Sequence, residues 1–339
     1  MVYPSDNYSA MNLPAPLVSV VIPTKNRPQL VVRAVRSVLA QTLEAIEAIV
    51  VIDGPDKTTE QNLRRLDDPR VKTIMLPVSV GGGSARNAGV GQARADWVAF
   101  LDDDDEWMPQ KLEVQFHAAQ ESTHPYPVIA CRLIARSESV DLVWPDRFPR
   151  PGEILSEYLF CQSSVFAGEG LVIPSMILTK KELLENVPFT SGLQRHQDVD
   201  WLLRASGMKG VHVEFVSTLA PLAVWNIEEN RRRLSNTADW SYSLLWAQAN
   251  RSLFTSRAYA SFILTWVSLT AARGRDWKAF YVLISEAHRW GKLSLNDISA
   301  HLIIWLIPQK VRRRLTPLLR RRNQERNRTS LNRHEEGDE

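Results

Sequence analysis

From Leu17 to Asp105 the chain switches repeatedly between two hydrophobic periods, a pattern that few architectures accommodate. "LVSVVIPT" (Leu17–Thr24) is a continuous apolar run closing on Pro23 and Thr24, as a strand buried on both faces would be. "PQLVVRAVRSVLAQ" follows, with Leu30, Val31, Ala34, Val35, Val38 and Leu39 along one helical face and Pro28 suited to the first turn. "AIEAIVVID", closing at Asp53, predicts a second strand, and "TTEQNLRRL" a helix. "VKTIMLP" predicts a third strand, "GGGSARNAGVGQA" a glycine-rich loop entering a helix, and "DWVAFLD" a fourth strand. Such alternation predicts an α/β fold, a mostly parallel sheet with helices on both faces. Ligands of such sheets sit beyond the carboxyl ends of the strands. Thr24, Asp53, Gly81–Gly83 and Asp102–Asp105 each follow a strand and are expected to meet at one edge.

Past Lys111 the pattern changes. "PVIACRLIA", "GLVIPSMILT" and "VHVEFVSTLAPLAVW" predict strands with longer connections, and "QDVDWLLRAS" opens a helix. From Asp239 onward the chain reads as helical. The resulting division is an N-terminal extension (1–16), an α/β domain (17–235), a helical C-terminal region (236–310) and a basic, flexible tail (311–339). A length of 339 residues suits this arrangement. The formal net charge of +3 gives no reason to expect a nucleic-acid partner. The N-terminus lacks the basic and apolar regions of a secretory signal, and no stretch offers the roughly 20 apolar residues of a spanning helix. Cys131 and Cys161 match no metal spacing and fit a reducing compartment, so a cytoplasmic location is expected.

The chemistry is expected at three places. The first is "FLDDDDEW", four successive aspartates after a buried strand. Side chains alternate along extended backbone, so Asp102 and Asp104 should share one face, and Asp103 and Asp105 the other. A hard divalent cation takes one or two such oxygens and completes its shell with substrate phosphates. The plainer reading is a solvated acidic turn, with Asp105 capping a helix that begins at "EWMPQKLE". The second is "GGGSARNAG", which fits neither the dinucleotide fingerprint nor the Walker pattern. It leaves flexible backbone beside Arg86, suited to a diphosphate or equally to an ordinary strand–helix turn. The third is Asp198 in "HQDVDW", by itself a helix N-terminal acid favoured by the dipole.

Taken in order, "VSVVIPTKNRPQLVVRAVRSVLAQT", "IVVIDG", "GGGSARNAGVGQARADWVAFLDDDDEWMPQKLE" and "QDVDWLLRAS" resemble the inverting nucleotide-sugar glycosyltransferases of family 2, which have the GT-A fold. The resemblance covers roughly Leu17 to Trp225 and leaves out the C-terminal third. It implies that Pro23, Thr24, Asn26 and Arg27 line a uridine pocket and that Asp53 binds base or ribose. Gly82 and Arg86 would border the nucleotide, and the aspartates would be the family's Asp-x-Asp motif. Asp102 or Asp103 would reach the ribose, and Asp104, with Asp102, would hold Mn2+ or Mg2+. Asp198 would be the catalytic base, although Gln197 stands where the family usually has Glu. The implied reaction moves one sugar from a UDP-sugar to an acceptor hydroxyl, with a lipid-linked glycan as a candidate acceptor, and with inversion. Polysaccharide or glycolipid synthesis is the implied setting.

Other readings remain open at this level. A degenerate scaffold would explain Gln197, and a sugar-nucleotide nucleotidyltransferase can share the sheet. "EAHRW" (Glu286–Trp290) only loosely matches the Gln-x-x-Arg-Trp of processive synthases and reads as coincidence. The arginine-rich "VWNIEENRRRLSN" reads as a lid or a solvated loop. The tail "LIIWLIPQKVRRRLTPLLRRR" suits peripheral contact with an anionic membrane, or a packed helix followed by a disordered end.

Overall fold

The computed structural model describes residues 15–137, 141–161, 170–227, 239–307 and 311. Most of the expected N-terminal extension, most of the arginine-rich lid segment and nearly all of the basic tail therefore lie outside the described residues.

In chain order the first half runs β1 (Val18–Thr24), α1 (Pro28–Leu39), β2 (Ile46–Ile52), α2 (Lys57–Arg64), β3 (Val71–Met75), α3 (Gly82–Val90) and β4 (Trp97–Phe100). The expected alternation is present throughout. β1 and β2 are buried along almost their whole length, which is why they read as unbroken apolar runs. α1 begins at Pro28 and buries Val31, Ala34, Val35 and Val38 against the sheet. α2 is capped by Asp56, whose carboxylate accepts from the Thr59 N–H at 3.0 Å. α3 lies so close to the sheet that a Cβ on Gly89 would fall 2.4 Å from a Val21 methyl.

The second half runs β5 (Glu106–Trp107), α4 (Lys111–Glu121), β6 (Tyr126–Ala130), β7 (Leu133–Arg136), β8 (Leu142–Trp144), α5 (Leu155–Phe160), β9 (Leu178–Lys180), α6 (Lys181–Asn186), α7 (Gln197–Ser206), β10 (Val211–Phe215) and β11 (Ala223–Asn226). Two sheets result. The larger has the order β10-β6-β9-β4-β1-β2-β3, parallel except for β9, and the smaller has the order β5-β11-β7-β8.

Three apolar runs break where single strands were expected. "PVIACRLIA" leaves the large sheet after Ala130 and enters the small one at Leu133. "VHVEFVSTLAPLAVW" makes the same transfer between β10 and β11, across a turn containing Pro221, which has no N–H to continue a ladder. In "GLVIPSMILT", Pro174–Met176 form a 3-10 turn and only β9 is a strand. Each transfer keeps apolar character, so hydrophobicity alone does not mark the break.

The helical region comprises α8 (Trp240–Ala249), α9 (Ser256–Phe262), α10 (Ser268–Arg273), α11 (Trp277–Trp290) and α12 (Leu295–Leu306), with a π-type turn, Ile263–Val267, joining α9 to α10. It is not a separate body. One buried cluster runs from Val21 and Phe100 in the sheet through Trp201 to Phe262, Leu283 and Trp305. Burying a large apolar side chain contributes about 1.5–3 kcal/mol, so this shared core holds the helices firmly against the sheet and α7.

Candidate active site

Parallel register brings the strand ends together. Val21 pairs with Phe100 and Thr24 with Ile52, so residues just past Phe100 and Ile52 come level with the end of β1. The Asp53 N–H donates to the Thr24 carbonyl at 2.8 Å, and the Thr24 hydroxyl donates to Asp103 at 2.7 Å. All the sequence candidates except Asp198 stand at this edge.

Burial alternates along the aspartate run, but the extended backbone expected there is replaced by a turn, closed by the Asp105 N–H donating to the Asp102 carbonyl at 3.0 Å. Asp103 and Asp105 are turned inward, whereas the side chains of Asp102 and Asp104 keep 32% and 17% of their exposure. Asp103 accepts from Thr24 and, at 2.7 Å, from Arg27 Nη1. Burial raises its carboxyl above the usual range, with Arg27 and Thr24 pulling the other way. Asp105 accepts from Ser175 Oγ at 2.6 Å, and burial, with the charges of Asp102 and Asp104, raises its carboxyl well above the usual range. It does not cap a helix. Glu106 and Trp107 form β5, and α4 starts only at Lys111 with Gln110 at its N-cap.

Two residues without a recognisable sequence signal shape this turn. Ser175 accepts from the Asp102 N–H at 3.1 Å while donating to Asp105. Asn226 donates its side-chain amide to the Asp104 carbonyl at 2.7 Å, and Arg33 donates to the same carbonyl at 2.7 Å. They lie 70 and 121 residues beyond Asp105, so only the fold brings them there.

Asp53 is committed to the glycine-rich loop. Its carboxylate accepts from Ser79 Oγ at 2.7 Å, the Val80 N–H at 2.6 Å and the Gly81 N–H at 3.1 Å. Gly81 has φ +87, open to glycine at little cost, and this turn starts α3. Asn26, in the turn after β1, is also left-handed, with φ 54. Arg27 bridges Asp103 and, at 3.5 Å, Asp104.

Arg86 emerges from α3 into the same space. Its Nη2 donates to Asp102 at 2.5 Å and its Nη1 to Gln197 Oε1 at 3.4 Å, and its guanidinium lies 5.5 Å from the Phe189 ring centroid. Gln197 also approaches the loop closely, since a Cβ on Gly82 would lie 3.0 Å from its Oε1. The first turn of α7 is thus delivered to the aspartates, although it lies far along the chain.

Of the two aspartates opening α7, Asp200 is consumed internally. It accepts from Thr190 at 2.7 Å, Arg204 at 2.8 Å and Trp246 at 3.3 Å. Asp198 is half-buried and feels the charges of Arg86 and Asp102. Burial raises its carboxyl; the Val199 N–H and Arg86 lower it, and Asp102 raises it further. His196, ahead of α7, is left-handed at φ 63, stacks on Trp246 at 4.8 Å and shares a 2.8 Å hydrogen bond with Ser243. Burial and the neighbouring Arg195 push its imidazole down to about 4, so it is neutral near pH 7. Sequence reading passed over His196, Ser243 and Trp246, which tie the helical region to the start of α7. "EAHRW" is spent within α11, where Glu286 accepts from the Tyr259 hydroxyl at 2.6 Å.

Among the described residues no three His, Cys, Asp or Glu gather closely enough to hold a metal unaided. Asp102 and Asp104 offer two hard carboxylates, a donor set that fits a Mg2+ or Mn2+ ion sharing its shell with a diphosphate.

Residues 19–187 match the family model for glycosyl transferase family 2. The chain belongs to this family. The match spans β1 to α6 and includes the aspartate run; Asp198 lies just beyond it. The putative colanic acid biosynthesis glycosyl transferase WcaA of Escherichia coli (strain K12) is 37% identical over 114 residues, 33% of this chain and 41% of that protein. The amylovoran biosynthesis glycosyltransferase AmsB of Erwinia amylovora is 26% identical over 256 residues, 71% of this chain and 82% of that protein. The chain thus matches less than half the length of the first relative and most of the second. In overall shape it resembles the mannosyltransferase PcManGT of Pyrobaculum calidifontis, solved with GDP-Man and Mn2+. That likeness has a TM-score of 0.52 at 16% identity and covers 87% of this chain and 88% of that one. The family 2 domain therefore has the GT-A architecture expected of it, extended by the helices from α8 onward.

Proposed function

We propose that this chain is an inverting, metal-dependent glycosyltransferase that adds a single sugar from a nucleoside-diphosphate sugar to an acceptor hydroxyl. The carrying observation is the Arg86 fork, which contacts Asp102 in the aspartate run and Gln197 beside Asp198. It draws an anion-binding edge and a carboxylate of raised proton affinity into one site.

In this reading the turn from Pro23 to Arg27, with Asp53 and the loop at Gly82, forms the nucleoside end of the site. UDP is the nucleotide we favour. Asp102 is the ribose contact, because its side chain is still partly exposed beside Arg86, whereas Asp103 is buried against Thr24 and Arg27. Asp104, with Asp102, holds Mn2+ or Mg2+, which when bound offsets the charge growing on the leaving diphosphate. Arg86 adds fixed positive charge on the same side. Asp198 takes the proton of the acceptor hydroxyl as it attacks. Burial that raises its proton affinity suits that task, and the charge of Arg86 pulls the other way. A base on one face of the sugar and a leaving group on the other give inversion in one displacement.

The catalytic unit in this proposal is residues 17–235, and the helical region braces α7 through the His196–Ser243 bond. The names of the two relatives, which refer to colanic acid and amylovoran biosynthesis, support polysaccharide synthesis as the setting; a cytoplasmic location and a lipid-linked glycan as the acceptor class belong to the proposal. The test is product analysis with a panel of nucleotide sugars and Mn2+. Release of nucleoside diphosphate with one donor supports the proposal. Release of pyrophosphate from a nucleoside triphosphate and a sugar phosphate would point to a nucleotidyltransferase, and no turnover with any donor to a scaffold.

A further inference from the structure

The far tip of the helical region carries a surface that the catalytic reading leaves unused. The Trp277 and Trp305 rings lie 5.2 Å apart, so the first turn of α11 meets the last turn of α12. Around that contact Trp277 is 55% exposed, Tyr281 71%, Leu302 40% and Leu306 68%. Residues 277 and 281, like 302 and 306, are one helical turn apart and share a face. Water thus meets a cluster of large aromatic and aliphatic side chains contributed by two packed helices, which marks an interaction surface.

The charge at this tip is one-sided. Arg273, Arg275 and Lys278 are exposed around Trp277. The acid among them, Asp276, is turned to internal use. It accepts from Trp240 Nε1 at 3.0 Å and from the Lys278 N–H at 3.1 Å, capping α11. From Ile298 to Ile307 the sequence has no Asp, Glu, Lys or Arg, and residues 308–322 that follow carry seven Lys or Arg and no acid.

The matching partner is apolar at depth and anionic at its surface. Trp and Tyr favour the boundary between lipid and water, and clustered Lys and Arg favour anionic headgroups. A nucleic acid would satisfy the cations and leave Leu302 and Leu306 in water. A second copy would bring the same positive charge against itself. We propose that this tip docks the chain on an anionic membrane surface, with Trp277, Tyr281, Leu302 and Leu306 entering the headgroup layer. Among the described residues no helix is long and apolar enough to cross a membrane, so the contact is peripheral. This inference is independent of the catalytic proposal.

The experiment is vesicle flotation of the full chain, using phosphatidylcholine vesicles with and without phosphatidylglycerol. The native chain is expected to float with the anionic vesicles and to be released by salt. Tyr281→Ser combined with Leu306→Ser, two exposed positions, should weaken that binding about tenfold or more at unchanged melting temperature, because two apolar side chains no longer enter lipid. Donor hydrolysis in solution should be the same for both proteins, so failure here leaves the catalytic reading standing. Equal flotation of the variant and native chains would overturn the proposal. So would binding to single-stranded RNA in place of vesicles, or a lipid-independent dimer that the double variant dissociates.

Discussion

Arg86 donates to Asp102 across 2.5 Å, joining α3 to the aspartate run, and its second amino nitrogen reaches Gln197 at 3.4 Å. Gln197→Glu tests this arrangement. The new carboxylate would compete with Asp102 for Arg86 and add negative charge beside Asp198. The Asp198 carboxyl should then rise further, moving the acidic limb of the kcat–pH profile upward. Gln197 also donates to the Leu193 carbonyl at 2.6 Å, a bond a carboxylate cannot make, so stability should fall by about 1–2 kcal/mol. A profile identical to the native one would show that charge at position 197 is not felt at Asp198.

Asp198→Asn should keep donor binding by calorimetry while transfer falls by about 10²–10⁴, the range for loss of a general base. In its proposed role Asp198 acts ionised, and burial raises its carboxyl above the usual range. Activity should therefore be full above its raised pKa and fall as pH drops through it, at a higher pH than an ordinary aspartate would give. An acidic limb in the ordinary aspartate range would argue against this residue as the base.

The neighbouring aspartates should respond differently to substitution. Asp104→Ala should abolish the metal-dependent part of donor binding with little change in melting temperature. Asp103→Asn should act mainly on stability, since its carboxylate holds Thr24 and Arg27 at 2.7 Å each inside the protein. A loss of about 1–3 kcal/mol is expected from denaturant titration. If instead Asp103→Asn removed donor affinity and left stability alone, the inward assignment would be wrong.

Ser243→Ala removes the partner of His196 and leaves a buried ring nitrogen without it. We expect about 1–2 kcal/mol of destabilisation. Because His196 precedes α7, kcat should drop more than the donor KM changes. Steady-state kinetics on purified variant protein would show whether the helical region positions the base.

Gly89→Ala sets two effects against each other. Alanine favours a helix by about 1 kcal/mol over glycine. The added methyl would meet Val21 at 2.4 Å and Val51 at 3.2 Å, and overpacking of this kind costs about 1–3 kcal/mol or more. The clash should win, lowering the melting temperature. A stabilised variant would mean that α3 can lift from the sheet more easily than its packing suggests.

The helices and strands of the first half were legible because each buries one continuous face and leaves its period in the sequence. The splitting of "PVIACRLIA" and "VHVEFVSTLAPLAVW" between two sheets was not, since both halves stay apolar and the transfer depends on which neighbours pair. The aspartates show the same boundary at single-residue scale. The sequence by itself determined that four carboxylates follow a buried strand, but the extended alternation it suggests gives way to a turn closed by the Asp105 N–H on the Asp102 carbonyl at 3.0 Å. Only the tertiary structure decided which pair turned inward, through Thr24 and Arg27 on one side and Ser175 and Asn226 on the other. Local pattern records the geometry of neighbouring residues, but a buried carboxylate is stabilised by partners that chain folding brings from far away.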